Sequence, residues 1–257
     1  MIKEYHNKII FASGFKKMKL INQLIKLSVL SALIIPSSKK YKDKYLETVN
    51  LCKKNKIIIM YYSKSKLFDI SSKPLKLNFN DKFLYSSGFP FILPIAILNK
   101  FKTAINLHPV DLPDFPGRNL HNAILSNRKK LNATLHYMDA GADSGEIIMR
   151  LRYERGHFDS IDSITRKASD VEIKNIVKIL DKIFIFEKKA VNINLSVNKY
   201  KQKVPADSEI SSNTRLDQAI KFIGTSDAKL YPTFFMYKGR KVFVYMKSEK
   251  KAHKDEV

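Results

Sequence analysis

The sequence predicts a doubly wound α/β fold, in which a mostly parallel β-sheet carries helices on both faces and is followed by a small C-terminal β-hairpin. Three observations predict it. Short apolar runs alternate with amphipathic stretches through the first half of the chain. The apolar runs are almost continuously hydrophobic, which is typical of parallel strands buried on both faces. The stretches between them are long enough for helical, right-handed crossovers.

The elements of the first half follow from this alternation. Strands are predicted from the apolar runs at residues 8–12, 31–36, 57–62, 83–88 and 103–107. Helices are predicted between them at residues 15–26, 42–54 and 94–101. In the first helix Met18, Ile21, Leu24 and Ile25 recur at helical spacing, so they form one buried face.

The second half combines further elements with a polar linker. A helix is predicted at 119–126, strands at 133–137 and 146–151, and one long helix at 161–189. The domain assignment is a catalytic domain at 1–190, a linker at 191–213, a hairpin subdomain at 214–247 and a tail at 248–257. The hairpin pairs strands at 233–237 and 242–246 around Lys238-Gly239-Arg240. It is too small to stand alone, so it must pack on the main domain or on a partner subunit.

The charge of the chain first suggests a nucleic-acid partner. Among 257 residues, 47 Lys and Arg oppose 24 Asp and Glu, a formal charge of +23. Only eight of the 47 are Arg, which leaves 47 − 8 = 39 Lys. Readers of nucleic acids rely on the guanidinium fork for bases and phosphates, so this Lys excess weakens that interpretation. We therefore expect no nucleic-acid partner.

The single cysteine indicates a reducing compartment. Cys52 allows no internal disulfide and no cysteine-based metal site, and we expect it to be a buried structural thiol. The N-terminus contains an acid and a histidine and no long apolar run, so no signal peptide is predicted. The most apolar window, at 27–36, is too short to span a membrane. The expectation is a cytoplasmic protein.

The first segment that carries chemistry is Asn106-Leu107-His108-Pro109, at the end of a predicted strand. Residues i and i+2 of a strand project to one face, so Asn106 and His108 point the same way. Ligands of open α/β sheets bind at the carboxyl ends of strands. An amide donor beside an imidazole there fits an oxyanion site with a general acid or base. Equally, both side chains could cap the strand and bond to loop backbone.

The second segment contains two carboxylates, Asp139 and Asp143, in a loop with two glycines. It follows Thr134 and His136, which share a strand face. A carboxylate brought to His108 would orient the ring and stabilise its cation. The alternative is a strand-to-strand loop with two Asx-turns, which is the favoured interpretation for Asp139.

Together these segments resemble the formyltetrahydrofolate-dependent formyltransferases. The resemblance rests on N-L-H-P-x-x-L-P-x-x-x-G, then T-x-H with D-x-G-x-I-I seven residues on, and it runs from about residue 83 to 151. It favours Asp143 over Asp139 and agrees with that family's Rossmann-like fold. It implies formyl transfer from N10-formyltetrahydrofolate without a metal ion.

The resemblance also implies roles for individual residues. Asn106 and His108 would donate hydrogen bonds to the formyl oxygen, and His108 or Asp143 would take the proton of the attacking amine. The pterin of the folate would bind along backbone at two segments. The Leu112–Pro113 peptide bond is expected to be cis. The expected pterin-binding residues are Phe91, Ile92, Leu93, Ala140 and Ala142.

Within the family, the chain looks most similar to sugar N-formyltransferases acting on nucleotide-linked amino sugars. The subgroup shares its length, its C-terminal hairpin, which commonly forms a homodimer, and an aromatic-proline stretch near Lys229 and Tyr231. The expected substrate is dTDP-4-amino-4,6-dideoxyglucose, for O-antigen or other surface polysaccharide. Gly117 and His121 are further expected substrate contacts, since they resemble the substrate loop of glycinamide ribonucleotide formyltransferase.

Other functions stay open. Glycinamide ribonucleotide formyltransferase is disfavoured because Ala12-Ser13-Gly14-Phe15-Lys16 lacks a glycine-rich phosphate loop. Methionyl-tRNA formyltransferase fits the charge of +23 but carries a C-terminal barrel, for which only about 50 residues follow the linker here. Formyltetrahydrofolate hydrolase is disfavoured because it usually has a regulatory domain in front, whereas the first strand is predicted here from residue 8. A non-catalytic basic α/β binding module is the alternative from another class.

Overall fold

A computed structural model of the chain describes residues 5–37, 43–63, 69–70, 77–185, 204–226 and 232–246. Within these ranges the chain forms one mixed sheet and one separate hairpin. The strands are β1 Ile9–Ser13, β2 Leu30–Pro36, β3 Ile58–Tyr62, β4 Asp69–Ile70, β5 Phe83–Ser87, β6 Thr103–His108, β7 Lys130–Tyr137, β8 Ile147–Glu154, β9 Phe234–Tyr237 and β10 Arg240–Phe243. The α-helices are α1 Met18–Lys26, α2 Leu46–Lys54, α3 Ile95–Leu98, α4 Leu120–Leu125, α5 Ile161–Lys174, α6 Ile176–Ile185 and α7 Leu216–Gly224.

The eight-stranded sheet has the order β4-β3-β2-β1-β5-β6-β7-β8. The run from β3 to β6 is parallel, as predicted, whereas β4, β7 and β8 join antiparallel. The chain order reverses between β1 and β5. At such a reversal, ligands bind beyond the carboxyl ends of the parallel strands. The backbones at Gly14 and Gly88 approach each other closely there, since a Cβ on Gly14 would lie only 2.3 Å from the carbonyl oxygen of Gly88.

Alternate residues of the central strands fill two separate cores, one on each face of the sheet. In β6, Ile105 and Leu107 face the core that is covered by α1, α2, α5 and α6. Ala104 faces the other core, which is covered by α3 and the segment before it. Helices on both faces and the predicted α/β class are thus confirmed. Asn106 and His108 share the face of Ala104, so the candidate catalytic residues lie on the α3 side of the sheet.

Cys52 is buried in the core of the helix-rich face, as expected of a structural thiol. Burial raises the pKa of its thiol to about 11, which keeps it protonated and unreactive at neutral pH. Within the described ranges no helix is long and apolar enough to cross a membrane.

The predicted single helix at 161–189 is wrong, because the structure divides it into α5 and α6 at Asn175. The Asn175 side chain donates to the Val171 carbonyl at 2.8 Å, and its backbone departs from helical geometry (φ −108°, ψ 15°). Such a side chain competes with the regular helical hydrogen bonds. The apolar periodicity continues on both sides of the break, which is why the pattern gave no sign of it. Residues 186–189 lie outside the described ranges.

Two features of the C-terminal unit also differ from the prediction. The turn of the hairpin contains only Lys238 and Gly239, both with positive φ, so β10 begins at Arg240 rather than at residue 242. A helix, α7, precedes the hairpin and packs against α4. Its apolar residues at Leu216, Ala219, Ile220 and Ile223 have helical spacing, a signal that could have revealed it.

Candidate active site

The structure brings Asn106, His108 and Asp143 into one cluster. The first two lie at the end of β6, and the antiparallel pairing with β7 places His136 opposite Asn106 and Thr134 opposite His108. Paired residues of neighbouring strands project to the same face. The loop between β7 and β8 then places Asp143 over these polar side chains.

Asp143 is the centre of the cluster. Its Oδ2 atom lies 3.1 Å from His108 Nδ1 and accepts a hydrogen bond from the Gly117 amide at 2.8 Å. Its Oδ1 atom accepts from Asn106 Nδ2 at 3.2 Å and lies 3.4 Å from His136 Nε2. Burial favours the neutral acid and is the largest single effect. The charge and hydrogen bonds of the two histidines outweigh it, so the pKa of Asp143 lies well below its usual range.

His108 is buried with an acceptor at each ring nitrogen. Nδ1 faces Asp143, and Nε2 lies 2.8 Å from the carbonyl oxygen of Phe115. Only the imidazolium can donate to both acceptors at once. Burial disfavours that cation and is again the largest single effect, but Asp143 and the Phe115 carbonyl outweigh it and raise the pKa of His108. The two acceptors and the raised pKa thus favour the charged pair, a carboxylate with an imidazolium.

His136 fixes the orientation of the Asn106 amide. Its Nδ1 atom lies 2.7 Å from the Tyr137 carbonyl oxygen, so Nδ1 carries a proton. Its Nε2 atom lies 3.1 Å from Asn106 Nδ2 and 3.4 Å from Asp143 Oδ1. The two contacts of the Asn106 amide are longer than the usual 2.9–3.0 Å for an N–H donor. Weak internal bonds of this kind leave the amide able to turn toward a bound acceptor.

The loop at residues 110–117 encloses His108. Thr134 Oγ1 donates to the Val110 carbonyl at 2.9 Å and accepts from the Leu112 amide at 3.3 Å. The Leu112–Pro113 peptide bond is cis, as expected. Arg150 closes the loop from β8 by donating to the Leu112 carbonyl at 3.0 Å. This loop supplies both the Phe115 carbonyl and the Gly117 amide to the cluster.

Backbone geometry in the β7–β8 loop aims the Asp143 carboxylate. Asp143 itself has φ of +56°, in the left-handed region that L-residues adopt rarely. Gly145 allows this path, because a Cβ there would lie 1.9 Å from the Tyr137 carbonyl oxygen. The glycine two residues after the acid is thus required by close backbone approach.

The segments expected to bind a pterin lie on the same face as the cluster. Phe91 and Met138, which leads into the β7–β8 loop, both pack on the α3-side core. Leu93 is buried in that core, whereas Ile92 is 63% exposed. Ala140 and Ala142 are exposed and carry no bulky side chain. Exposed apolar surface beside small loop residues fits a planar, apolar ring with polar edges. Their binding role stays a prediction.

The remaining predicted substrate residues have different outcomes. Gly117 has φ of +65° and donates its amide N–H to Asp143, so its observed contact is with the carboxylate of the cluster. His121 is buried on α4. Lys229 and Tyr231 lie outside the described residues. Sequence reasoning missed the Phe115 carbonyl, because a backbone acceptor has no signature in residue type.

Metal chemistry was not expected, and the described part of the chain contains no cluster of three or more potential His, Cys, Asp or Glu ligands. The acid and the two histidines of the cluster bond to one another and to backbone instead.

Comparison with known sequences gives a family match across most of the sheet. The family model described as formyl transferase matches residues 8–180. A formyltetrahydrofolate deformylase from Synechocystis is 38% identical over 82 residues, which are 32% of this chain and 29% of that protein. A methionyl-tRNA formyltransferase from Buchnera aphidicola is 29% identical over 160 residues, 60% of this chain and 50% of that protein. These matches span between about a third and a half of the curated relatives.

Comparison with solved structures extends the likeness to nearly the whole chain. A sugar N-formyltransferase from Shewanella superposes with a TM-score of 0.67 at 16% identity, covering 95% of this chain and 98% of that one. At this identity the likeness concerns the fold. The family match covers 173 of the 257 residues and includes the entire Asn106, His108 and Asp143 cluster. The chain belongs to the formyl transferase family.

Proposed function

We propose that this protein transfers the formyl group of N10-formyltetrahydrofolate to the amine of a nucleotide-linked amino sugar. The observation that carries the proposed chemistry is the buried carboxylate–imidazolium pair of Asp143 and His108 beside the Asn106 amide. The folate supplies an activated formyl carbon when it is bound. The residues of this chain then have to stabilise charge on the formyl oxygen and move one proton.

Asn106 stabilises the formyl oxygen. Its amide turns one weakly held N–H from His136 or Asp143 toward this oxygen as negative charge develops on it. A donor aimed at developing charge in a partly buried site contributes about 3–4 kcal/mol to catalysis. The nearby imidazolium of His108 adds a positive charge to the same region.

His108 moves the proton. Nε2 gives up its contact with the Phe115 carbonyl, and the imidazolium passes this proton, directly or through water, to the leaving nitrogen of the donor as the C–N bond breaks. The amine that has formed the new C–N bond returns a proton to the ring. Atoms and charges then balance over one cycle. Asp143 holds Nδ1 throughout and stays ionised, because its pKa lies well below the usual range. A base with so low a pKa takes a proton poorly, which favours His108 over Asp143 for this role.

The nucleotide-sugar substrate is supported by the extent of the structural likeness. The likeness to the Shewanella sugar N-formyltransferase covers 98% of that chain and 95% of this one. Within the sugar class we propose dTDP-4-amino-4,6-dideoxyglucose as the acceptor and surface polysaccharide, such as O-antigen, as the destination. Excess Lys suits an acceptor that carries a diphosphate.

Methionyl-tRNA is the second candidate acceptor. It is favoured by the Buchnera relative, whose match covers more of this chain than that of the deformylase, and by the net charge of +23. Counterion release on binding phosphate would make tRNA formylation fall steeply with salt.

An acceptor panel distinguishes the two. The protein is incubated with formyltetrahydrofolate and, separately, with dTDP- and UDP-linked amino sugars, glycinamide ribonucleotide and methionyl-tRNA, and products are identified by mass. The proposal predicts a formylated nucleotide sugar. Formylation of the tRNA alone would replace the first candidate with the second.

We also propose that the hairpin of β9 and β10 forms a homodimer contact. Its strands leave large apolar side chains in solvent, among them Tyr237 at 59% and Phe243 at 50% exposure. An isolated two-stranded hairpin is marginally stable, so a second copy that covers this surface would stabilise it. Light scattering should give twice the chain mass. The variant Phe243→Lys should be monomeric, whereas the control Leu46→Lys, at an exposed apolar position on α2, should remain dimeric.

A further inference from the structure

A polar cavity lies outside the catalytic cluster, where the turn before β7 meets the end of β8 and helix α7. Its volume is about 160 Å³, and basic side chains dominate its lining, which we call the basic pocket: Arg128, Lys129, Arg155, His157 and Lys221, with Asn127. No acidic side chain lines it among the described residues. Pockets for drug-sized ligands measure about 300–1,000 Å³, so this one suits a single small group.

The charges of the basic pocket are only partly compensated. Arg128 pairs with Asp114 and stacks on the Phe115 ring, so its charge is used locally. Lys129 and Arg155 form no ion pair within the described part of the chain. Lys221 donates to the neutral amide oxygen of Asn127.

The acids nearest in sequence are also occupied. Glu154 lies 3.6 Å from Lys130. Asp159 accepts from the Gly156 amide at 2.7 Å and from Lys167 at 2.6 Å, so its charge is neutralised by a lysine outside the cavity lining. The basic pocket therefore concentrates positive charge that the described residues leave unbalanced.

Arg155 gives an independent sign of a missing acceptor. One of its terminal nitrogens donates to the Ile124 carbonyl at 2.7 Å, but its Nε–H is buried without a hydrogen-bond partner among the described residues. A buried unsatisfied donor on a charged group is costly, and native structures usually satisfy it with protein, water or a bound ion. A bound anion would balance the charge of the guanidinium that carries this donor.

The placement of the basic side chains indicates the class of anion. They come from three separate segments: the turn at 127–129, the turn at 155–157 and helix α7. A tetrahedral oxyanion presents oxygens in several directions, whereas a planar carboxylate presents two in one plane. We propose that the basic pocket is a binding site for a phosphoryl group, either on a nucleotide or as free phosphate. The inference is independent of the proposed formyl transfer, since it involves none of the catalytic residues.

Phosphorus NMR on the full chain tests it directly, with inorganic phosphate titrated at constant ionic strength and without a formyl donor. We expect saturable binding with a Kd on the order of 1 mM or tighter. The double variant Lys129→Gln/Arg155→Gln should weaken it by about tenfold or more, since it removes two of the positive charges that line the cavity. The control Arg152→Gln/Lys174→Gln removes the same charges at exposed positions outside the pocket and should change the Kd by less than about twofold.

Further arms keep the result decisive. If the Arg155 variant fails to fold, Lys129→Glu reverses one exposed charge at the rim and should abolish binding. Displacement of phosphate by dTDP would assign the phosphoryl group to a nucleotide, and undisturbed phosphate would assign it to the free ion. Absence of saturable binding, equal losses in both double variants, or acetate binding as tightly as phosphate would each overturn the proposal.

Discussion

The Asp143→Asn substitution changes the side chain that makes most of the polar contacts in the cluster. Both carboxylate oxygens of Asp143 face N–H donors: His108 and Gly117 at Oδ2, and Asn106 at Oδ1. An asparagine must place its NH₂ group against one of these sides, where two donors then face each other. In either orientation at least one bond is lost, and the negative charge beside His108 disappears.

The magnitude follows from these contacts. With the NH₂ group on the Oδ2 side, the contacts with His108 and Gly117 are both lost. Two charge-assisted hydrogen bonds of about 2 kcal/mol each amount to about 4 kcal/mol, or about a thousandfold in rate. The pKa of His108 should also fall, because Asp143 is what raises it against the effect of burial. Less imidazolium would then be present at neutral pH to protonate the leaving nitrogen.

Single-turnover formyl transfer, followed by mass from pH 5 to 9, measures both effects. In the wild type the rate should decline as pH rises through the raised pKa of His108, and in Asp143→Asn the decline should begin at lower pH. The control Asp162→Asn removes an acid that is 79% exposed on α5, so its rate and profile should match the wild type. A rate for Asp143→Asn within about threefold of the wild type, with the same profile, would refute the reasoning.

Three further predictions concern stability. Glu172 is fully buried and accepts a hydrogen bond from Lys17 at 2.6 Å. Glu172→Gln should therefore leave an unpaired buried ammonium and lower the free energy of unfolding by about 3–5 kcal/mol in denaturant titrations. A loss below about 1 kcal/mol would contradict this. Gly145→Ala should cost about 1–3 kcal/mol or more and reduce formyl transfer, because the new Cβ meets a backbone carbonyl and displaces the loop of Asp143; calorimetry and the transfer assay check both, and wild-type values would count against it. The raised pKa of His108 contributes stability that is full below pH 6.5 and is lost as pH rises through the pKa of the folded state. The lowered pKa of Asp143 contributes stability that is full above pH 3.8 and is lost as pH falls through the pKa of the folded state. The difference in melting temperature between the wild type and Asp143→Asn should therefore be largest between pH 3.8 and 6.5, and a difference that grows above that window would be inconsistent with the pair.

The parallel part of the sheet could be predicted because its strands are buried on both faces. Such strands, β1 for example, are continuous apolar runs, a pattern that elements exposed on one face do not have. The antiparallel strand β8 extends to Glu154, beyond the predicted end at residue 151, and Arg152, Tyr153 and Glu154 continue the polar–apolar alternation of a half-buried strand. The break at Asn175 depends on one side chain's choice of partner and leaves the apolar pattern intact.

The candidate site was predictable where it depends on side chains at strand spacing. Asn106 and His108 share a face by alternation alone, whereas Asp143 was selected over Asp139 through the family pattern. The Phe115 carbonyl could not be predicted, because it reaches His108 only through the path of the loop after β6. The basic pocket could not be predicted from sequence spacing either, since its residues come from segments far apart in sequence.

Asn106→Ala tests the central claim most directly. This substitution removes the donor proposed for the formyl oxygen while leaving the Asp143–His108 pair in place. With formyltetrahydrofolate and the acceptor identified by the panel, the single-turnover rate should fall by about 10²–10³-fold with an unchanged unfolding midpoint. A folded Asn106→Ala variant that transfers formyl at the wild-type rate would contradict the account.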